Sequence, residues 1–382
     1  MEKPSHVVLV AGEASGDFLG AKLALALKRE VPGIRLSGMG GQAMAGAGVE
    51  MVQRSEELAL VGIVEVLPKL GLILRTLREM KRHLAQTRPD LLILIDFPDF
   101  NFRLGKAAAK LGIKVLYYVC PQVWAWRRKR AKDMAGFVNR LAAIFPFEEK
   151  FMSELAPELR SDFVGHPLLD QAEPHRSETD FWPLPDNCLP VGILPGSRHS
   201  EITRILPVMF EAARIMRQKR PELCFVLPLA PGLKTRALEP YLDKAPEGLT
   251  ILPGKSRMVM EKTKVLLVAS GTATLEAALV GTPFVVVYKT GWINYFLAKS
   301  LVKVEFIAMP NLVAGREVVR ELIQAEATGE NLAQEALKLL EPGRARQEMK
   351  EGLQEIRLSM GGPGASRATA LIAKEMIEEY GD

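Results

Sequence analysis

Leu91-Leu-Ile-Leu-Ile95 is an unbroken apolar run, and Asp96-Phe-Pro-Asp-Phe-Asn101 follows it directly. A run without alternation reads as a strand buried on both faces, the kind found in parallel sheets covered by helices. Arg88-Pro89-Asp90 introduces it, a helix is expected over residues 104–111 with Gly112 as its stop, and a further strand over 114–119. Strand, helix, strand at this spacing is a βαβ unit. Upstream, residues 6–11 form another apolar run broken by Gly12, and residues 20–30 carry apolar positions at helical spacing up to Pro32-Gly33.

The second half keeps the rhythm without repeating the sequence. Strands are expected at 190–194, 223–227, 249–252, 264–269 and 283–288, with helices in most intervals. Residues 173–190, rich in Pro, Asp, Ser and Asn, read as a linker, and the last helix is expected over 366–380. A chain of 382 residues suits two domains. The expectation is an α/β protein of two doubly wound Rossmann-like domains facing a cleft. The expected bounds are 1–185, 186–345, and a tail 346–382 packing back on the first domain or on a partner subunit.

Composition narrows the function classes. Hydrophobic residues make up 48% and charged residues 25%, a folded rather than disordered mix. The three cysteines, Cys120, Cys188 and Cys224, lie far apart without CxxC spacing, which argues against a zinc ribbon or disulfide framework and for a reducing compartment. No secretory signal and no uncharged apolar stretch of bilayer length is visible, so a soluble or peripheral protein is expected. The net charge of +5 is mild, but it gathers at 127–132 and 69–83, blocks that suit nucleic acid, anionic lipid or phosphorylated substrates equally.

Ligands of open parallel sheets bind beyond the carboxyl ends of the strands. After the first strand stand Gly12-Glu13-Ala14-Ser15-Gly16-Asp17, then Gly20. Glu13 and Asp17 would repel a phosphate there, so the loop fits sugar hydroxyls, with Ser15 or Asp17 as a helix cap the bland reading. After Ile95, Asp96 and Asp99 flank a rigid Phe-Pro. A carboxylate in reach of a hydroxyl can act as general base. Asp99 is the better cap for a helix starting near Phe102, which leaves Asp96 for chemistry.

Three stretches look like phosphate-binding loops. Gly38-Met-Gly-Gly-Gln-Ala43 fits a dinucleotide fingerprint but follows the second strand, and Gly254-Lys255-Ser256 lacks the first P-loop glycine because Leu249 stands there. Pro195-Gly-Ser-Arg198 offers amides at Gly196 and Ser197 and a forked guanidinium for a diphosphate. Ser270-Gly271-Thr272 opens a helix whose free N–H groups favour an anion, with Glu276 one turn on, placed for a ribose diol. Two such turns in one domain fit a nucleoside diphosphate. No DxD pair occurs, and the histidines lack metal-ligand spacing, so neither metal nor cofactor is expected; His166 is a loop candidate, more often structural.

The ordered set resembles the lipid-A-disaccharide synthase family of GT-B glycosyltransferases. It comprises Ala11–Asp17, Ile95–Asn101, Pro121-Gln-Val-Trp-Ala-Trp-Arg127, Gly165-His-Pro167, Leu194–Arg198, Ser270–Glu276 and Pro310-Asn-Leu-Val-Ala-Gly-Arg316. The resemblance implies transfer of 2,3-diacylglucosamine from UDP to the 6-hydroxyl of 2,3-diacylglucosamine 1-phosphate, with inversion. The product is a β-1,6-linked disaccharide 1-phosphate, and UDP leaves. It implies Asp96 as base, and Arg198, Ser270, Gly271, Thr272 and Glu276 as the UDP site. Asn311 and Arg316 match further donor positions, and Glu13, Ser15, Gly16, Asp17 and Asp99 fall on the acceptor side.

Such substrates imply an anionic membrane surface as partner, on the cytoplasmic face of a Gram-negative-type inner membrane, and admit a homodimer. Residues 60–84 set Leu70, Leu74 and Leu77 among Lys69, Arg75, Arg78, Lys81 and Arg82, a pattern that fits either a membrane interface or a core-facing helix with a basic back. Trp124 and Trp126 beside 127–132 are the next membrane candidates. The rivals are another UDP-sugar enzyme of this fold (a peptidoglycan-precursor glycosyltransferase or an epimerase), a nucleic-acid binder using 127–132, and a non-catalytic membrane scaffold. No recognised nucleic-acid motif accompanies the charges, so no nucleic acid is expected as partner.

Overall fold

The computed structural model describes residues 4–55, 66–121, 129–171, 182–185, 187–230, 233, 235–291 and 305–379. The chain divides into two compact units, one of Met1–Glu173 with Met360–Asp382, the other of Pro174–Ser359.

The first unit runs β1 (His6–Ala11), α1 (Ala14–Glu30), β2 (Arg35–Gly40), α2 (Gln42–Gly46), β3 (Glu50–Arg54), α3 (Val66–Thr87), β4 (Leu91–Ile95), α4 (Pro98–Lys110), β5 (Lys114–Tyr118), α5 (Lys129–Ala135), β6 (Arg140–Ala143), α6 (Pro146–Leu155) and β7 (Arg160–Phe163). Its seven strands pair in the order β3-β2-β1-β4-β5-β6-β7, all parallel. Every residue of β4 is fully buried, as an unbroken apolar run in a covered sheet requires. The sheet order reverses direction between β1 and β4, so their outgoing loops meet at the switch point.

The second unit runs β8 (Leu189–Leu194), α7 (His199–Lys219), β9 (Leu223–Leu229), α8 (Glu239–Leu242), β10 (Leu249–Pro253), α9 (Ser256–Lys262), β11 (Val265–Ala269), α10 (Thr272–Val280), β12 (Phe284–Tyr288), α11 (Met309–Ala314), β13 (Glu321–Ile323), α12 (Gly329–Leu340) and α13 (Arg344–Ser359). Its six strands are also parallel, in the order β10-β9-β8-β11-β12-β13, with the reversal between β8 and β11.

The two C-terminal helices part company, whereas a single tail from residue 346 was expected. Helix α13 belongs to the second unit, where Gly352 lets it close on Val318 and Glu355 meets Arg316 at 2.5 Å. The last helix, α14 (Ala365–Glu378), belongs to the first unit. There Arg367 pairs with Glu30 of α1 at 2.9 Å, and Glu375 joins Asp162 on the buried Arg140 of β6.

Several local expectations are corrected. Helix α4 begins at Pro98, whose missing N–H is no loss at a helix start, rather than near Phe102. Gly38 lies inside β2, where a Cβ would stand 1.8 Å from the Leu9 carbonyl oxygen, so that glycine serves strand approach and not a dinucleotide. Leu77 is only 5% exposed and packs with Met80 and Leu84 in the core, so it is not a membrane contact. Leu74 is 37% exposed, and the side chain of Leu70 lies outside the described residues. Cys188 and Cys224 form a disulfide, because the β8–β9 register sets Pro190 opposite Cys224 and brings Cys188 alongside.

Candidate active site

The turn leaving β4 runs through two left-handed residues. Asp96 (φ +46°) and Phe97 (φ +48°) are consecutive non-glycine residues in the left-handed region, each at a cost of about 1–3 kcal/mol. Buried partners hold them there. The Asp96 N–H donates to the Tyr118 carbonyl at 3.2 Å. The Asp96 carbonyl accepts from the Tyr117 hydroxyl and from Asn101 Nδ2, both at 2.7 Å. The Phe97 ring lies over Gly12, where any Cβ would fall 2.3 Å from ring carbons, so the β1 and β4 loops interlock.

Burial, then the charge of Glu13, raises the Asp96 carboxyl above the usual aspartate range, opposed by the Phe97 N–H. A carboxylate poised this way is a better proton acceptor than an exposed one. Asp99 differs. It sits exposed in the first turn of α4 and pairs with Arg130, while the N-cap position belongs to Phe97 without a side-chain cap.

At the start of α1, Glu13 at the N-cap and Ser15 are exposed, whereas Gly16 and Asp17 are buried. The Asp17 carboxylate accepts from the amides of Gly41, Ala43 and Met44 at 2.7, 3.0 and 3.1 Å. It therefore caps α2 and is engaged away from the loop mouth. Gly20 makes room for the Met44 sulfur.

In the second unit, the turn after β8 is self-capped. The Glu201 carboxylate accepts from the amides of Ser197 and Arg198 at 3.0 and 3.2 Å, so donors expected for an anion are occupied from within. The Arg198 side chain is 81% exposed. The neighbouring turn after β11 is different: Gly271 is the N-cap of α10 with no side-chain cap, and Gly271 and Thr272 are exposed. Thr274 Oγ1 donates back to the Gly271 carbonyl at 2.7 Å. Glu276 is half-buried, and the desolvation raises its carboxyl above the usual glutamate range against the opposing charge of Arg257. Among the described residues its carboxylate makes no hydrogen bond.

Two residues expected on the donor side have other duties. Asn311, fully buried, accepts from the amides of Val318 and Val319 and donates to the Val319 carbonyl and Glu321, which uses its whole hydrogen-bonding capacity. Arg316 is engaged with Glu355. Burial pushes His166 down to about 4, and its Nδ1 accepts from the Leu168 amide, so it is a neutral structural imidazole. Trp124, Trp126, Arg127 and Arg128 lie outside the described residues.

The structure thus brings Asp96, Glu13 and Ser15 to the first switch point, and Arg198, Ser270, Gly271, Thr272 and Glu276 to the second. Sequence reasoning missed Tyr117 and Glu201. Glu201, three residues after Arg198, carried the capping-box signal, whereas nothing local marked Tyr117. Among the described residues, no group of three or more His, Cys, Asp or Glu is placed for a metal ion, and no helix is long and apolar enough to cross a membrane.

The family described as lipid-A-disaccharide synthetase matches residues 7–376. A lipid-A-disaccharide synthase of Nitrosococcus oceani is 44% identical over 378 residues, covering 97% of this chain and 96% of the relative. One from Trichlorobacter lovleyi is 43% identical over 381 residues, covering 99% of each. Among solved structures, the glycosyltransferase of kitacinnamycin superposes with TM-score 0.67 at 15% identity, over 98% of this chain and 100% of that one. A UDP-GlcNAc 2-epimerase from Neisseria meningitidis bound to UDP-GlcNAc gives TM-score 0.64 at 15% identity, over 98% and 100%. At such identity the likeness is one of fold, the GT-B architecture.

Proposed function

The chain belongs to the lipid-A-disaccharide synthetase family of glycosyltransferases, and from that premise we propose that it transfers 2,3-diacylglucosamine from UDP to the 6-hydroxyl of 2,3-diacylglucosamine 1-phosphate with inversion. The observation that carries the mechanism is the held left-handed backbone of Asp96 at the switch point of the first sheet, where burial and Glu13 raise its carboxyl. Asp96 takes the proton of the attacking hydroxyl as the glycosidic bond forms on the opposite face from UDP. Glu13 and Ser15 flank it and suit sugar hydroxyls.

At the second switch point, the open N-terminus of α10 receives the diphosphate, with Ser270, Gly271 and Thr272 at its entrance. A helix N-terminus favours an anion without a metal. Arg198 adds a cation to the leaving group, and Glu276, whose carboxylate makes no hydrogen bond among the described residues, accepts from the ribose hydroxyls. Asn311 and Arg316 serve this site through the segment they hold. Both substrates carry acyl chains, so the enzyme works peripherally at an anionic membrane surface, with the exposed Leu74, Arg78 and Arg82 of α3 available and Leu77 not.

The test is incubation with both acylated sugars followed by mass analysis. A disaccharide 1-phosphate with stoichiometric UDP supports the reading. Consumption of the UDP-sugar without acceptor would assign an epimerase or hydrolase instead.

A further inference from the structure

Tyr117 takes no part in the chemistry above, yet it is among the largest fully buried side chains of the molecule. Its hydroxyl donates at 2.7 Å to the backbone carbonyl of Asp96, the same oxygen that accepts Asn101 Nδ2 at 2.7 Å. A carbonyl oxygen has two lone pairs, and here both are filled from the core. Asn101 is itself fully buried, with its Nδ2 also 3.3 Å from the Ile95 carbonyl and its Oδ1 without a partner among the described residues.

The orientation of the Asp96 carbonyl is set by ψ of Asp96 and φ of Phe97. If the kink relaxed to extended backbone, this oxygen would swing away and leave two buried donors unpaired, an arrangement proteins avoid. Burial also raises the Tyr117 phenol well above its ordinary pKa, so it stays a donor wherever the enzyme works. The Asp96 side chain leaves the backbone at the atom about which the kink turns.

We propose that Tyr117 and Asn101 are positioning residues for catalysis, whose shared hold on the Asp96 carbonyl fixes the left-handed kink and so aims the Asp96 carboxylate at the acceptor hydroxyl. The inference rests on Asp96 being the base. Neither residue touches substrate.

The experiment is a double-mutant cycle of Tyr117→Phe with Asp96→Asn, with kcat, both KM values, UDP affinity and thermal midpoint measured for each variant. Phenylalanine keeps the ring contact with Phe102, 6.3 Å away between centroids, and deletes only the donor. Tyr117→Phe is expected to lower kcat about tenfold or more, because small misplacements of a reacting group have large effects, while KM and UDP affinity hold. In the Asp96→Asn background it is expected to change nothing further. Unchanged kcat in Tyr117→Phe, or the same loss in both backgrounds, overturns the positioning role and leaves the base standing. Full turnover in Asp96→Asn alone removes the base and the positioning role together. The same cycle on Asn101→Ala deletes the other donor and decides the matter should Tyr117→Phe fold poorly.

Discussion

The turns after β4 and β8 occupy matching places, each leaving a buried strand beside the switch point of a parallel sheet, yet they are built in opposite ways. After β4 the positive φ angles fall on Asp96 and Phe97, and the strain is held by buried donors from β5 and α4. After β8 the positive φ falls on Gly196, where it is cheap, and the helix start is closed by Glu201. The first arrangement fixes one carboxylate by means of the core. The second keeps its cation exposed and holds its amides with a carboxylate from the first turn of its own helix. A reacting group needs rigid aim, whereas a binding turn benefits from an exposed cation.

The comparison breaks most sharply at Asp96. Asp96→Asn is expected to lower turnover about 10²–10⁴-fold with UDP affinity, measured by calorimetry, intact. Stability moves the other way. The folded-state pKa of Asp96 is raised, so its stabilising contribution is full at acid pH and is lost as pH rises through that pKa. An asparagine escapes this loss, and the thermal midpoint at neutral pH should hold or rise. A marked fall would make Asp96 a structural residue.

Glu276→Gln comes next. Losing one charged acceptor for the ribose should weaken UDP binding roughly tenfold, and unchanged affinity would move the ribose elsewhere. Glu201→Gln should act in the reverse sense, strengthening UDP binding about two- to fivefold as the competing charge leaves the start of α7. Weaker binding would show that Glu201 shapes the turn for the donor. Glu13→Gln is the finest probe. The negative charge that helps raise Asp96 disappears, so the acid limb of the kcat profile should move to lower pH. A limb that stays put would mean burial alone sets it.

How much was legible follows from where the information lies. β1, β4, β8 and β11 announce themselves because a strand buried on both faces must be apolar throughout. β3, β7 and β13 were missed, being short and polar: Glu50–Arg54, Arg160–Phe163 and Glu321–Ile323. β6 opens with Arg140, whose burial depends on Asp162 and on Glu375 far along the chain. Asp96 could be singled out from its place after a strand, but its kink depends on Tyr117 and Gly12, which no local pattern connects to it.

Asp17 and Asn311 show why a site is hard to read from sequence: a polar side chain near a loop satisfies neighbouring amides as readily as a ligand. The amphipathic pattern of α3 could not tell a bilayer from a sheet, and the sheet took Leu77. The Cys188–Cys224 pairing arose from strand register, which spacing alone does not reveal.

If Asp96 is the group whose ionisation switches the reaction on, the pH dependence of kcat in the wild type and in Asp96→Asn shows it most directly. The wild type should lose activity through an acid limb lying above the ordinary aspartate range, because burial and Glu13 raise this carboxyl. That limb should be absent from the residual turnover of Asp96→Asn. The same acid limb in both proteins would contradict the account and place the base on another residue.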